Sequence, residues 1–129
     1  MFEFSEINFS INTKGKLPSL PFGNMKVAVL GTKYDLVLNF IDAKKIQTLN
    51  RTYRHRDQPT DILSFPLSKN SGEVFICRKY ADKKSVSFGR RPENYLAFLV
   101  IHGLVHLKGF EHSSRMESIE AKYRQKFGV

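Results

Sequence analysis

Between Pro92 and Leu107 the chain is apolar on nearly every helical face, through Leu96, Ala97, Phe98, Leu99, Val100, Ile101, Leu104 and Val105. Pro92 suits a first helical turn, where its missing N–H costs nothing, and Gly109 is placed to end the helix in a left-handed cap. A helix that is apolar all round has to be buried, so the rest of the fold must be arranged around 92–107. At 129 residues and 41% apolar composition the chain can build one contiguous core and not two. This predicts a single domain over residues 1–129, with this helix buried at its centre.

The remaining periodicities alternate between strand and helix without a regular βαβ rhythm. Residues Phe2 to Ile11 read as a strand whose alternation slips near Ser5-Glu6, as at a bulge or late start. A short helix is expected over 19–30, and Leu36 to Ile41 form a strand bounded by Asp35 and Asp42. Asp42 then caps a helix that carries Ile46, Leu49, Asn50 and Tyr53. Short strands follow over 61–65, which Pro66 should end, and over 73–77. Ser113 or Ser114 opens a last helix through about Phe127, with Glu117 completing a capping box on Ser114. The fold class is α+β: a small mixed sheet of about four strands flanked by helices.

Three of the chain's four histidines fall inside His102-Gly103-Leu104-Val105-His106-Leu107-Lys108-Gly109-Phe110-Glu111-His112. His102 and His106 are four apart on the apolar helix, which turns them through about 400° and onto one face. The helix break at Gly109 lets the chain turn back and bring His112 to the same point. Three unrelated histidines on such a helix would each need a buried partner, at about 1–3 kcal/mol for every one left unsatisfied. Convergence on one metal ion is the better reading. Neutral nitrogen ligands without a cysteine cluster favour Zn²⁺, with Ni²⁺ or Co²⁺ also suited. Three protein ligands leave a fourth position for water, the pattern of catalytic zinc. A His-Glu-x-x-His protease carries its base directly after the first histidine, and here that position is Gly103. Glu111 is the nearest carboxylate, either a base, a residue that orients the metal ligands, or a solvated turn residue.

Charge points the same way. The chain holds 21 Lys+Arg against 12 Asp+Glu, a formal +9, which attracts polyanions. Arg51, Arg54 and Arg56 cluster around one helix end, where arginine gives bidentate recognition of phosphate. Spacing alone does not choose among them. Before the apolar helix, Arg78, Lys79, Lys83, Lys84, Arg90 and Arg91 are offset by Asp82 alone, with Tyr80 and Phe88 interleaved. Backbone neutralisation beside base stacking is how single strands are gripped; a solvated basic helix would have the same composition. The lone cysteine, Cys77, reads as a small core residue, and a single thiol fits a reducing cytoplasm. No signal peptide and no apolar run long enough for a bilayer is evident, so a cytoplasmic protein with no membrane partner is expected.

These segments resemble the YbeY-type endoribonucleases of bacterial ribosomal RNA maturation. The family pattern His-Gly-x-x-His-Leu-x-Gly-x-Asp-His matches His102 to His112, and Leu-Asn-x-x-Tyr-Arg followed by Pro-Thr-Asp-x-Leu-Ser-Phe-Pro matches Leu49 to Pro66. A shorter element matches Gly72-Glu73-Val74-Phe75-Ile76-Cys77. Glu111 and Glu73 stand where the family usually has aspartate, which keeps the charge on a longer arm. The resemblance implies a zinc-bound, single-strand-specific endoribonuclease acting in small-subunit ribosomal RNA 3′-end maturation and ribosome quality control. It implies the ribosomal small subunit as partner and singles out Arg54 as the functionally required arginine. A non-catalytic RNA assembly factor with a metal site, or a metal hydrolase of another substrate, are the alternatives.

Overall fold

The structure, a computed structural model, describes residues 8–109 and 113–129. Strand β1 (Phe9–Asn12) is followed by helix α1 (Phe22–Leu30), β2 (Asp35–Phe40), α2 (Ala43–Arg54), β3 (Ile62–Ser68), β4 (Ser71–Ile76), α3 (Arg78–Ser87), α4 (Pro92–Leu107) and α5 (Ser114–Phe127). The four strands form one sheet in the order β1-β2-β4-β3, the α+β arrangement with a mixed sheet that the periodicities predict. β1 runs parallel to β2, and β2 to β4, while β3 folds back antiparallel on β4.

Strand alternation divides the sheet into two faces. Leu36, Leu38, Val74 and Ile76 point to the face covered by α1, α4 and α5, where they join Met25, Val29, Leu96, Val100, Ile101, Leu104 and Met116 in the main core. Leu63 and Phe75 point to the opposite face, where Ile46 and Leu49 of α2 cover them together with buried Cys77. Ala81, Tyr95 and Leu99 form a third, smaller cluster that fastens α3 to α4. Helix α4 is buried over most of Tyr95 through Leu107, with Phe98, His102 and His106 half-buried on the side that faces away from the core. Pro92 sits in its first turn, and Gly109 has φ +107° just beyond its end.

Several boundaries differ from the sequence expectation for physical reasons. Pro66 does not end β3; the strand continues to Ser68, with Pro66 opposite Gly72 and a register irregularity after it. β3 is an edge strand, so a missing N–H there breaks no ladder bond. Helix α1 begins at Phe22 rather than 19, because Pro21 disfavours helical geometry at Leu20. Ser113, not Ser114, caps α5, its hydroxyl accepting from the Met116 N–H at 3.2 Å, so Glu117 lies one position too far for the expected capping box. Asp42 caps α2 as expected, accepting from the Lys45 N–H at 2.8 Å. The first part of the expected N-terminal strand, residues 2–7, lies outside the described residues. No described helix is long and apolar enough to cross a membrane.

Candidate functional site

The outer side of α4 forms one wall of a cleft of about 1240 Å³, closed on the other sides by β3, the α2–β3 loop and α5. His102 and His106 both face it, their ring centroids 4.9 Å apart and their planes nearly perpendicular. The i, i+4 spacing thus brings the two imidazoles together as the helix geometry requires. His112 and Glu111 lie outside the described residues; among the described residues no group of three or more His, Cys, Asp or Glu is arranged to hold a metal ion.

Glu120, which the sequence reading passed over, is buried on α5 and meets Nδ1 of His102 at 2.6 Å through Oε1. A carboxylate accepting the Nδ1 proton fixes the ring and puts its ligating lone pair on Nε2, the arrangement that accompanies most metal-bound histidines. This donor chemistry fits the metal that the histidine spacing implies. The signal was present: Glu120 follows buried Met116 by one turn on the inward stripe that continues to Tyr123 and Phe127, where a carboxylate needs a partner.

Gly103 shows why the position after the first histidine carries no side chain. A Cβ there would lie 2.8 Å from Ile62 Cδ1 and 3.1 Å from Ser64 Oγ, so α4 sits too close to β3 to admit one comfortably. Ser64 joins the two halves of the cleft. Its hydroxyl donates to the Gly103 carbonyl at 3.4 Å, and its own carbonyl accepts from Arg54 Nη2 at 3.0 Å. Arg54, at the C-terminal end of α2, also lies over the Phe65 ring, 5.7 Å from its centroid. Buried Asn50 holds the chain that follows: its Nδ2 donates to the Gln58 carbonyl at 2.9 Å, and its own carbonyl accepts the Arg56 N–H at 3.3 Å. His55, in the left-handed region at φ 58°, makes the turn. The run Leu49 to Pro66 is thus a scaffold that delivers Arg54 and Arg56 to the cleft.

The deeper end is fixed by Asp61. Its Oδ2 accepts from the Tyr95 hydroxyl at 2.8 Å and lies 3.8 Å from Lys84 Nζ, while its carbonyl accepts the Cys77 N–H. Burial first, then the Asp61 carboxylate, push the Tyr95 hydroxyl far above the ordinary tyrosine range, so it stays a donor.

The other basic candidates divide. Lys84 lines the cleft, and Arg90 lies over Phe98 beside it. Arg51 points away and pairs with Asp57 at 3.5 Å, both exposed. Arg78 pairs with Asp82, and with Lys79 it borders a second, smaller pocket near α2. Lys83 and Arg91 are exposed and do not line the cleft. Of the two interleaved aromatics, Tyr80 packs into the core under α2 and only Phe88 is exposed.

Comparison with known proteins matches this arrangement to a family. The family described as endoribonuclease YbeY matches residues 23–128. Endoribonuclease YbeY of Vesicomyosocius okutanii is 33% identical over 107 residues, covering 74% of this chain and 74% of that protein. Endoribonuclease YbeY of Staphylococcus aureus is 32% identical over 105 residues, covering 70% of this chain and 68% of that one. The solution structure of a Thermotoga maritima protein superposes with a TM-score of 0.69 at 26% identity, over 92% of this chain and 88% of that one. The match runs from α1 through α5 and takes in every element that lines the cleft, and on that ground the chain belongs to the endoribonuclease YbeY family.

Proposed function

We propose that this protein is a zinc-dependent, single-strand-specific endoribonuclease of the cytoplasm, acting on the 3′ end of small-subunit ribosomal RNA and in ribosome quality control. The observation that carries the reading is the shared cleft: the imidazole pair of His102 and His106 and the guanidinium of Arg54 face one space in a chain of formal charge +9. His102, His106 and His112 are the residues to hold the metal, and zinc there would polarise a phosphoryl oxygen or lower the pKa of its water to about 7.

The chain's own groups do the rest. Glu120 Oε1 holds the Nδ1 proton of His102 and fixes the ring. Arg54, anchored by the Ser64 carbonyl, presents a delocalised cation to the charge that builds on the phosphorane-like transition state. Arg56 and Lys84 line the same cleft and neutralise the backbone of the bound strand. The small-subunit partnership and the 3′-end substrate rest on kinship with the YbeY family.

The test compares purified wild type, Arg54→Glu and His106→Ala on single-stranded ribosomal RNA, with zinc content measured on the same samples. His106→Ala loses zinc and cleavage together; Arg54→Glu keeps zinc and loses cleavage. Product ends identify the nucleophile, since a 2′,3′-cyclic phosphate means attack by the substrate's own 2′-hydroxyl. Equal cutting by all three proteins would trace the activity to a contaminant and defeat the proposal.

A further inference from the structure

Beyond the histidines the cleft continues to a wall of aromatic rings that the chemistry above does not use. Phe98 stands four residues before His102, a rise of about 6 Å along α4, so the wall adjoins the imidazoles. Tyr95 stacks on Phe98 with centroids 5.7 Å apart and planes 16° from parallel, and Phe88 tilts against Tyr95 at 5.1 Å. All three residues line the cleft. Tyr95 is buried and tied to Asp61 at 2.8 Å, so the wall has a rigid back. Phe88 is different: it closes the end of α3 and leaves 50% of its surface exposed. The wall is also charged. The guanidinium carbons of Arg90 and Arg124 lie 4.6 Å and 5.1 Å from the Phe98 centroid.

An exposed ring with a fixed back, beside two guanidinium groups, matches a ligand that is flat and aromatic on one part and anionic on another. A purely apolar ligand has no use for the arginines, and a simple anion has no use for the ring. A single-stranded nucleotide has both parts, with the base for the ring and the phosphate for the cations.

We propose that Phe88, backed by Tyr95 and Phe98, stacks a base of the RNA strand lying in the cleft, while Arg124 and Arg90 take the adjoining backbone. The subsite rests on the endoribonuclease reading and deepens it. It makes an unpaired base a requirement for binding, since a paired and stacked base cannot lie flat on Phe88.

The chain contains no tryptophan, so Phe88→Trp installs its only indole at the subsite, excited selectively over the tyrosines. The probes are a short single-stranded oligoribonucleotide and a strand of equal length whose nucleotides lack bases. Binding is followed by anisotropy across a salt series, and cleavage by steady-state kinetics. Phe88→Ala should weaken the base-bearing strand about 5- to 150-fold, the loss expected for one stacked base. It should raise KM more than it lowers kcat and leave the salt slope unchanged, because that slope reports phosphate contacts. Phe88→Trp should retain affinity, with emission quenched by the base-bearing strand and not by the abasic one. If RNA is bound and cut normally by Phe88→Ala and the indole emission of Phe88→Trp ignores both strands, the subsite is overturned and the endoribonuclease reading stands. If wild type neither binds nor cuts the oligoribonucleotide, both fall together.

Discussion

Removing Glu120 tests whether the imidazole pair is a metal site or only a polar seam between two helices. The bond from Glu120 Oε1 to His102 Nδ1 is 2.6 Å long, and the two side chains are 8% and 21% exposed. That excludes the regime of solvated surface pairs, which are worth about 0–1 kcal/mol. A hydrogen bond involving a charged group contributes about 1.5–3 kcal/mol, and if that free energy orients His102 for a cation it converts to roughly 10- to 150-fold in affinity. Loss of a partner behind a metal-bound histidine typically costs 10–100-fold in affinity, from about the same free energy. Glu120→Ala is therefore expected to weaken zinc by about 100-fold, and Glu120→Gln, which keeps an acceptor oxygen, by about 10-fold. The assay is competition against a chromophoric zinc chelator, run beside urea unfolding of the metal-free proteins, with cleavage measured at limiting and at excess zinc. Activity of Glu120→Ala should recover as zinc is raised, because the ligands remain. A folded Glu120→Ala protein that binds zinc as tightly as wild type, with only its metal-free stability reduced, would refute the reasoning and leave Glu120 as a link between α4 and α5.

Two further substitutions probe the frame that holds the cleft. Gly72→Ala places a Cβ 2.5 Å from the Tyr34 hydroxyl, 2.9 Å from Leu107 Cδ2 and 3.1 Å from the Phe65 carbonyl oxygen. Overpacking of that kind costs about 1–3 kcal/mol, to be read as a lower urea midpoint at constant m-value; an unchanged midpoint would mean the sheet yields freely under the end of α4. Tyr95→Phe removes the donor nearest the buried Asp61 carboxylate and is expected to destabilise by about 1–3 kcal/mol. Its unfolding curve should shift accordingly, and a neutral effect would show that the Thr60 hydroxyl at 3.4 Å and Lys84 at 3.8 Å satisfy that carboxylate without Tyr95.

What the sequence disclosed, and what it hid, follows from the range of the interactions involved. Helix α4 was legible because the run Leu96 to Ile101 with Leu104 and Val105 makes nearly every face apolar and leaves one physical option, burial. Asp42 was legible because a cap is decided within three residues, and its bond to the Lys45 N–H is that local decision. Pro66 misled because its effect depends on whether β3 lies at the edge of the sheet, which only the pairing with β4 settles. The choice between Ser113 and Ser114 as cap stayed open because two adjacent hydroxyls offer the same local pattern, and it is Ser113 that accepts the Met116 N–H.

The site divides along the same line. His102 and His106 are neighbours in sequence and in space, so their pairing could be read from spacing. Which of Arg51, Arg54 and Arg56 reach the cleft could not be read from spacing: Arg54 is anchored by the Ser64 carbonyl ten residues on, across a strand that has first to find β4, Arg56 follows the turn held by Asn50, and Arg51 pairs with Asp57 instead. Glu120 is farther still, eighteen residues from His102 and on another helix, and its role exists only once α5 packs on α4. The consequence is a physical asymmetry within one cleft. The paired imidazoles come with helix formation itself, whereas the guanidinium and the carboxylate arrive only with tertiary structure. Partial unfolding of β3 or α5 should therefore displace the groups around the histidine pair before it disperses the pair itself, because α4 lies in the main core while Arg54, on α2, is anchored by the edge strand's Ser64 and Glu120 rides on the last helix.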